Sequence, residues 1–133
     1  MKDKLLKLLE NSYAPYSNMH FACIVETKNG NFYEGVNIEN ASFGATICAE
    51  RVAIYKAISE GYRSFKKLEI MVDDDKIGTC CFLCRQVMLE FFDKNMPIYC
   101  YDNKGNFEMF KVSDLCPYPF SKENLEWKVV LLV

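Results

Sequence analysis

The spacing of apolar positions along the chain switches between the periods typical of helices and of strands. Leucines at positions 5, 6, 8 and 9 predict a short amphipathic helix over residues 3–12, before the break at Pro15. Two further runs with helical spacing cover residues 48–60, closed by Gly61, and about 82–92. The chain therefore offers three helices of useful length.

The strand-like runs lie between these helices. The dipeptide Asn29-Gly30 separates the first two runs and predicts a hairpin with a type I′ turn. A buried strand lies between the second and third helices, and two more strands flank a turn at residues 102–105. The predicted strands are residues 20–28, 31–37, 68–72, 97–101 and 107–112. This order of elements indicates an α/β fold.

The order helix, strand, helix in the middle of the chain has a geometric consequence. If both helices pack on one face of the sheet, each runs antiparallel to the strand between them. Their N-termini then emerge at the same edge. Cys48 opens one helix, whereas Cys81 and Cys84 open the other, so we expect the three thiols to converge. The positive helix ends would stabilise thiolates there.

Composition limits the class of protein. The length of 133 residues predicts a single domain over residues 1–133. A net charge of -2 and scattered basic residues disfavour a nucleic-acid partner. No apolar run is long enough to span a bilayer, and the N-terminus lacks a signal-peptide core, so no membrane association is expected. Seven cysteines, an odd number, indicate metal ligation in a reducing cytoplasm rather than a disulfide framework.

The three converging thiols suit one zinc ion per chain. Three protein ligands leave the fourth tetrahedral position for water, as in catalytic zinc sites. Glu50, two residues after Cys48, is then a candidate proton shuttle, and Arg51 could offset part of the thiolate charge. The alternative is a set of inert buried cysteines with a surface glutamate, since a lone C-x-x-C is often structural zinc or a redox pair.

Several motifs in one order resemble the small cytidine deaminases. They are Tyr13-Ala14-Pro15-Tyr16-Ser17, Asn37-Ile38-Glu39-Asn40-Ala41, Cys48-Ala49-Glu50-Arg51, Ser59-Glu60-Gly61 and Cys84-Arg85-Gln86-Val87. The resemblance implies a three-layer α/β/α fold in which helices flank a mixed five-stranded sheet. It also implies a homotetramer with active sites shared between subunits, zinc on Cys48, Cys81 and Cys84, and Glu50 as the acid/base.

The same resemblance assigns the nucleoside contacts. Asn37 and Glu39 match the stretch that holds the ribose hydroxyl, and Ala49 would offer backbone groups to the pyrimidine. Phe120 matches a C-terminal aromatic residue that covers the base from a neighbouring subunit. The apolar tail, residues 127–133, is expected to be buried at a subunit interface.

Some positions depart from the family pattern. Cys80 replaces a proline before the C-x-x-C and is a potential rival ligand, whereas Phe82-Leu83 replaces a small pair and could narrow the pocket. Met19 stands where the family usually has a phenylalanine against the substrate, and Phe43 stands where a tyrosine is common. These changes bear on substrate preference and rate. His20, the only histidine, is expected to be structural or exposed.

The function that these residues indicate is hydrolytic deamination of cytidine and 2′-deoxycytidine to the uridines, with release of ammonia, as in pyrimidine salvage. One alternative is a deaminase of a related aminopyrimidine nucleoside of antibiotic type. A second is a non-catalytic zinc-binding scaffold of the same fold, favoured if Phe82-Leu83 blocks the pocket. Polynucleotide editing is disfavoured because the chain has no basic groove with interleaved aromatic residues.

Overall fold

A computed structural model describes residues 1–125, which are built around one five-stranded sheet. The strand order is β2-β1-β3-β4-β5; β3 and β4 run parallel, and the other neighbouring pairs are antiparallel. The mixed five-stranded sheet is therefore confirmed. The strands are β1 (Phe21–Thr27), β2 (Phe32–Val36), β3 (Phe65–Val72), β4 (Pro97–Tyr101) and β5 (Phe107–Lys111).

The helices begin and end close to the predicted positions. They are α1 (Lys2–Leu8), α2 (Ala49–Ser59), α3 (Phe82–Phe91) and the short α4 (Val112–Leu115), with 3-10 turns at Leu9–Asn11, Phe43–Ala45 and Lys122–Leu125. The last predicted strand is one residue too long, because α4 begins at Val112. There the Asp114 carboxylate accepts a hydrogen bond from the Lys111 N–H at 2.9 Å and caps the helix. Within residues 1–125, no helix combines the length and apolar character needed to cross a membrane.

Helices cover both faces of the sheet. Residues of β1 alternate between the faces: Cys23 and Val25 pack with α2 and α3, whereas Ala22 and Ile24 pack with α1. On the α1 side, Leu5 and the following Leu9 fill the smaller of the two hydrophobic clusters. The layered arrangement implied by the resemblance is therefore present, with α2 and α3 on one shared face.

The turn between β1 and β2 is not of the predicted type. A type I′ turn requires positive φ at both central residues. Gly30 has a φ of 87°, but Asn29 is not among the residues with positive φ. Thr27 and Asn31 close a three-residue loop instead, with hydrogen bonds from the Thr27 N–H to the Asn31 carbonyl and from the Gly30 N–H to the Thr27 carbonyl. The type I′ prediction was wrong, because one left-handed glycine satisfies this longer loop.

Helix α2 lies unusually close to strand β2. A Cβ atom placed on Gly35 would lie 2.6 Å from the Ala53 nitrogen, and it would also overlap the Ala49 carbonyl oxygen. Such distances are shorter than real Cβ contacts, so only glycine permits this approach. Gly35 therefore fixes the position of the helix end that begins at Ala49.

Candidate metal centre and active site

Two helix N-termini bring the predicted ligands together beside the carboxyl end of β3. Cys48 is the N-cap residue of α2, Cys81 is the N-cap residue of α3, and Cys84 lies in the first turn of α3. Cys84 is buried, Cys48 is half-buried and Cys81 is exposed. The predicted convergence is confirmed, since the sulfurs of the three residues lie within 4.8 Å of one another.

The spacing of these sulfurs suits a zinc ion. A tetrahedral Zn²⁺ with bonds of about 2.3 Å holds its sulfur ligands about 3.8 Å apart. The Sγ atoms of Cys48 and Cys81 are 3.5 Å apart, and the third sulfur lies within the 4.8 Å limit. The ligands sit at two positive helix ends, which favour their anionic form. The donor set and its spacing therefore fit zinc with one open position.

The electrostatics of the cluster favour a thiolate at Cys48. Hydrogen bonds from Cys84, and then from Arg51 and Cys81, lower the pKa of Cys48 to about 5. The Arg51 Nη2 donates to the Cys48 sulfur at 3.4 Å. Its Nε is buried without a hydrogen-bond partner among the described residues, so the guanidinium is turned towards the cluster rather than towards a carboxylate. The Arg51 guanidinium thus places a positive charge beside the negatively charged thiolates of the site.

Glu50 is a buried carboxyl group beside the cluster, with 4% of its surface exposed. Burial, followed by the charge of Cys48, raises its pKa above the usual value, although a hydrogen bond from a backbone N–H, and then those from Cys80 and Cys84, oppose the shift. A carboxyl group with a raised pKa can accept and return a proton near neutral pH. This is the electrostatic setting that a proton shuttle needs.

Cys80 does not join the ligand cluster. Its side chain is 2% exposed and lies in the core, where a hydrogen bond with Cys100, and then burial, raise its pKa. The metal-ligand group found among residues 1–125 contains its neighbour Cys81 instead. Of the two adjacent cysteines, Cys81 therefore joins the metal-ligand group, whereas Cys80 is buried in the core, within hydrogen-bonding reach of Glu50.

A pocket of about 210 Å³ opens directly onto the cluster and Glu50. Its wall combines the metal ligands Cys48 and Cys81 with apolar side chains from the ends of β1 and β3, and with two polar residues that follow β2. The lining residues include Phe21, Asn37, Glu39, Ile47, Ile70 and Val72. A mostly apolar wall with a few convergent polar groups is typical of a small-molecule site.

Asn37 contributes a buried amide to this pocket. Its Oδ1 accepts hydrogen bonds from the Phe21 N–H, at 2.9 Å, and from the Ser12 hydroxyl, and its Nδ2 donates to the Met19 carbonyl at 2.8 Å. The two backbone partners fix which end of the amide is oxygen. One hydrogen of Nδ2 has no part in these bonds, so Asn37 can donate to a ligand.

Glu39 contributes the acceptor beside it. Its Oε1 accepts from the backbone N–H groups of Tyr16 and Ser17, at 3.0 and 3.1 Å, and its Oε2 accepts from the Ser17 hydroxyl. The Ser17 hydroxyl bond is the main cause that lowers the pKa of Glu39. A carboxylate with remaining lone pairs thus faces the pocket next to a free amide hydrogen.

The sequence matches one family model over residues 1–100, described as the cytidine and deoxycytidylate deaminase zinc-binding region. This chain belongs to the cytidine and deoxycytidylate deaminase family. The matched family model is a zinc-binding region, so the ion held by the Cys48, Cys81 and Cys84 cluster is zinc.

Relatives across bacteria and a eukaryote support the family assignment. The cytidine deaminase of Sporosarcina psychrophila is 41% identical over 91% of this chain and 89% of its own length. A probable cytidine deaminase of Dictyostelium discoideum is 40% identical over 92% of this chain and 86% of its own length. The crystal structure of the Burkholderia pseudomallei cytidine deaminase superposes with a TM-score of 0.82, at 31% identity, over 90% of this chain and 99% of that one.

Other residues assigned from the resemblance to the cytidine deaminases lie around the pocket rather than in its wall. Ala49 is fully buried as the first residue of α2, where its N–H has no partner within the helix. Met19 is 48% exposed and Phe43 is 76% exposed. The Phe43 ring lies edge-on to Tyr16, with centroids 6.1 Å apart, beyond Glu39.

Phe120 lines a second pocket, next to α3, and is not among the residues that line the zinc pocket. It is 61% exposed, and its carbonyl accepts a hydrogen bond from Gln86 of α3 at 2.7 Å. Phe82 and Leu83 are also exposed, and neither belongs to the wall of the zinc pocket as described for residues 1–125. The apolar tail at residues 127–133 lies outside the described residues.

Two residues that position the site were missed by the sequence analysis. Gly35 sets the distance between α2 and β2. The sequence feature that could have indicated this role is a glycine inside a predicted strand. Ser12 bonds Asn37, 25 positions away in the chain, and no local pattern could have indicated that contact. His20 bonds Ser12 at 2.9 Å and is not part of the metal-ligand group found in residues 1–125.

Proposed function

We propose that this chain catalyses the zinc-dependent hydrolytic deamination of cytidine and 2′-deoxycytidine, giving the uridines and ammonia. The observation that carries the proposal is the shared pocket. A zinc-binding thiol cluster, a buried glutamate with a raised pKa, and a hydrogen-bonding pair, Asn37 and Glu39, all border one cavity. The relatives at 41% and 40% identity carry the names cytidine deaminase and probable cytidine deaminase.

Zinc, when bound, supplies the Lewis acid that makes a water molecule acidic enough to serve as the nucleophile. Glu50 would take the two protons of that water in turn and deliver one to the ring nitrogen N3 and one to the amine nitrogen, so that the C–N bond breaks, ammonia leaves and the water oxygen becomes the C4 carbonyl. Burial raises the pKa of this carboxyl group, which suits a group that must take up a proton as well as release one. Arg51, bonded to Cys48, reduces the negative charge that three thiolates would impose on the site.

Different groups of the pocket hold the sugar and the base. The free Nδ2 hydrogen of Asn37 donates to a ribose hydroxyl oxygen, and the Glu39 carboxylate accepts a hydrogen bond from that hydroxyl. Towards the zinc, the backbone of Ala49 lies between a metal ligand and Glu50, which suits contact with the pyrimidine. This pairing of donor and acceptor favours a nucleoside over a free base.

The decisive test is direct. Purified zinc-loaded protein is mixed with cytidine, and uridine and ammonia are measured together, with Glu50→Gln as the inactive, zinc-retaining control. Equal amounts of both products support the proposal. Zinc-loaded protein that releases neither from cytidine or 2′-deoxycytidine would refute it, and a panel of other aminopyrimidine nucleosides would then separate a related deaminase from a non-catalytic scaffold.

A blocked pocket was the condition that favoured the scaffold alternative. Phe82 and Leu83 are 76% and 65% exposed, and the Phe82 ring stacks 4.4 Å from the guanidinium carbon of Arg85, outside the pocket wall. A cavity of about 210 Å³ stays open beside the cluster. These contacts give no support to obstruction of the site, and they favour turnover.

The proposal extends to a homotetramer with shared active sites. Phe43, Phe82 and Phe120 are each more than half exposed, so these aromatic side chains are accessible to a neighbouring subunit. Phe120 is not among the described residues that line the zinc pocket of its own chain, as expected if it serves a neighbour. Sedimentation at assay concentration provides the test, and a fully active monomer would refute shared sites.

The cysteines bear on the location of the enzyme. All seven are free in the structure, including the adjacent Cys80 and Cys81. Thiols persist in a reducing compartment, whereas an oxidising one would pair them at the expense of the metal site. We therefore include a cytoplasmic location in the proposal.

A further inference from the structure

The amide of Asn37 is oriented by a short hydrogen-bonded chain that includes Ser12 and His20. These two residues line a groove together with Glu10 and Asp73, whereas Asn37 lines the pocket beside the thiol cluster. Ser12 belongs to the segment after α1, and its hydroxyl donates a hydrogen bond to the Asn37 side chain. The Asn37 side chain is therefore held in part by residues that do not line the nucleoside pocket.

The donors and acceptors in this chain can be assigned. Asn37 Oδ1 can only accept, so the single hydroxyl proton of Ser12 is used on it. The Ser12 oxygen must then accept from His20, whose Nδ1 lies 2.9 Å away. His20 therefore carries a proton on Nδ1. The direction of donation runs from His20 through Ser12 to Asn37.

We propose that Ser12 and His20 are positioning residues for the nucleoside site, holding the Asn37 amide so that one Nδ2 hydrogen faces the ribose. Without the Ser12 proton, the amide keeps its bonds to the Phe21 N–H and the Met19 carbonyl but loses the third bond, so the position of its free Nδ2 hydrogen is held less tightly. This role rests on the proposed function, because it assumes a nucleoside in the pocket. It adds two residues that do not themselves touch the substrate.

Enzyme kinetics test the role of Ser12. Asn37 contacts the sugar before and during the reaction, so weakening it removes uniform binding and raises KM while kcat is unchanged. The contribution of one hydrogen bond predicts that Ser12→Ala raises the KM for cytidine by about 3- to 10-fold. Ser12→Thr keeps the hydroxyl and restores most of the affinity. Ser113→Ala, an exposed serine on α4, serves as the matched control and leaves KM unchanged.

The sugar itself provides a sharper comparison. If Ser12 acts through a ribose hydroxyl, its loss matters less for an analogue that lacks that hydroxyl. Cytidine, 2′-deoxycytidine and 3′-deoxycytidine are compared with wild type and Ser12→Ala, and the KM penalty is expected to shrink for one of the deoxy analogues. An equal penalty on all three would show general damage to the fold and would overturn the positioning role.

Histidine variants test the first link of the chain. His20→Asn retains a donor at about the position of Nδ1, whereas His20→Ala removes it, so we expect the alanine variant alone to raise KM, and by less than Ser12→Ala does. Calorimetric titration with uridine reports binding independently of turnover. Wild type that binds uridine without deaminating cytidine counts against the proposed function alone. Ser12→Ala with unchanged KM and uridine affinity overturns the positioning role alone.

Discussion

The contact between Gly35 and α2 allows a prediction about a residue remote from the chemistry. The change Gly35→Ala adds a Cβ that would lie 2.6 Å from the Ala53 nitrogen and 3.0 Å from the Val52 Cβ, and would overlap the Ala49 carbonyl oxygen. Most of these atoms belong to the helix backbone, so no side chain can simply rotate aside. We therefore expect α2 to move away from β2 by roughly half an ångström or more, since packed interiors have no spare volume.

The cost follows from the packing and from what α2 carries. Overfilling a well-packed core costs about 2 kcal/mol, which for a chain of this size lowers Tm by roughly 6–10 °C. Cys48 and Glu50 flank Ala49, so the movement also displaces a zinc ligand and the proton shuttle. A misplacement approaching 1 Å can cost about 100-fold in rate, so we expect kcat to fall by about 10- to 100-fold, with weaker zinc retention.

Three measurements decide this prediction: Tm by calorimetry, zinc per chain after dialysis against a weak chelator, and kcat with cytidine. Gly44→Ala is the matched control, because a Cβ at that position meets nothing within 4 Å and Gly44 has no positive φ. We expect the control to resemble wild type in all three. Gly35→Ala with wild-type Tm, zinc content and kcat would refute the argument that this approach positions the site.

The remaining predictions concern the metal centre. Metal analysis should find one zinc per chain in the wild type, and alanine at Cys48, Cys81 or Cys84 should abolish zinc binding. The control Cys80→Ala should retain zinc. Loss of zinc from Cys80→Ala would mean that the ligand is misassigned by one position. Glu50→Gln should keep zinc and Tm but lower kcat by about 10²- to 10⁴-fold, and near-normal turnover would assign the shuttle elsewhere. Arg51→Ala should reduce kcat less than Glu50→Gln does, with zinc still bound, because it removes the hydrogen bond to Cys48 but no proton-transfer group. An equal loss of kcat would assign Arg51 a more direct role in the reaction.

The elements that could be predicted from sequence are those set by local periodicity. The apolar spacing in α2 and α3, together with Cys48 and Cys81 at their starts, was enough to predict where the zinc ligands meet. The turn after β1 was mispredicted because Asn29-Gly30 fits both a two-residue turn and the loop that forms, and the choice depends on the Thr27–Asn31 pair.

Contacts between segments that are distant in the chain could not be predicted from the sequence. The hydrogen bonds from Ser12 to Asn37 and from Ser17 to Glu39 join segments 25 and 22 positions apart, and both orient residues whose role was predicted from the resemblance and from their alternating positions at the end of a strand. Their partners are ordinary serines in a polar stretch, and nothing in their neighbourhood indicates which side chain they will meet. Such contacts depend on the folded path of the chain.

The placement of the zinc ligands on two helices makes the ion a cross-link. Cys48 and Cys81 are 33 positions apart, and the intervening chain contains all of β3, the strand between β1 and β4. A bridge between them removes freedom from the unfolded chain as a disulfide would, but only while the metal is bound. A ribosome must therefore extend the chain beyond residue 84 before the last ligand can bind, and zinc supply then affects how much newly made protein completes its fold.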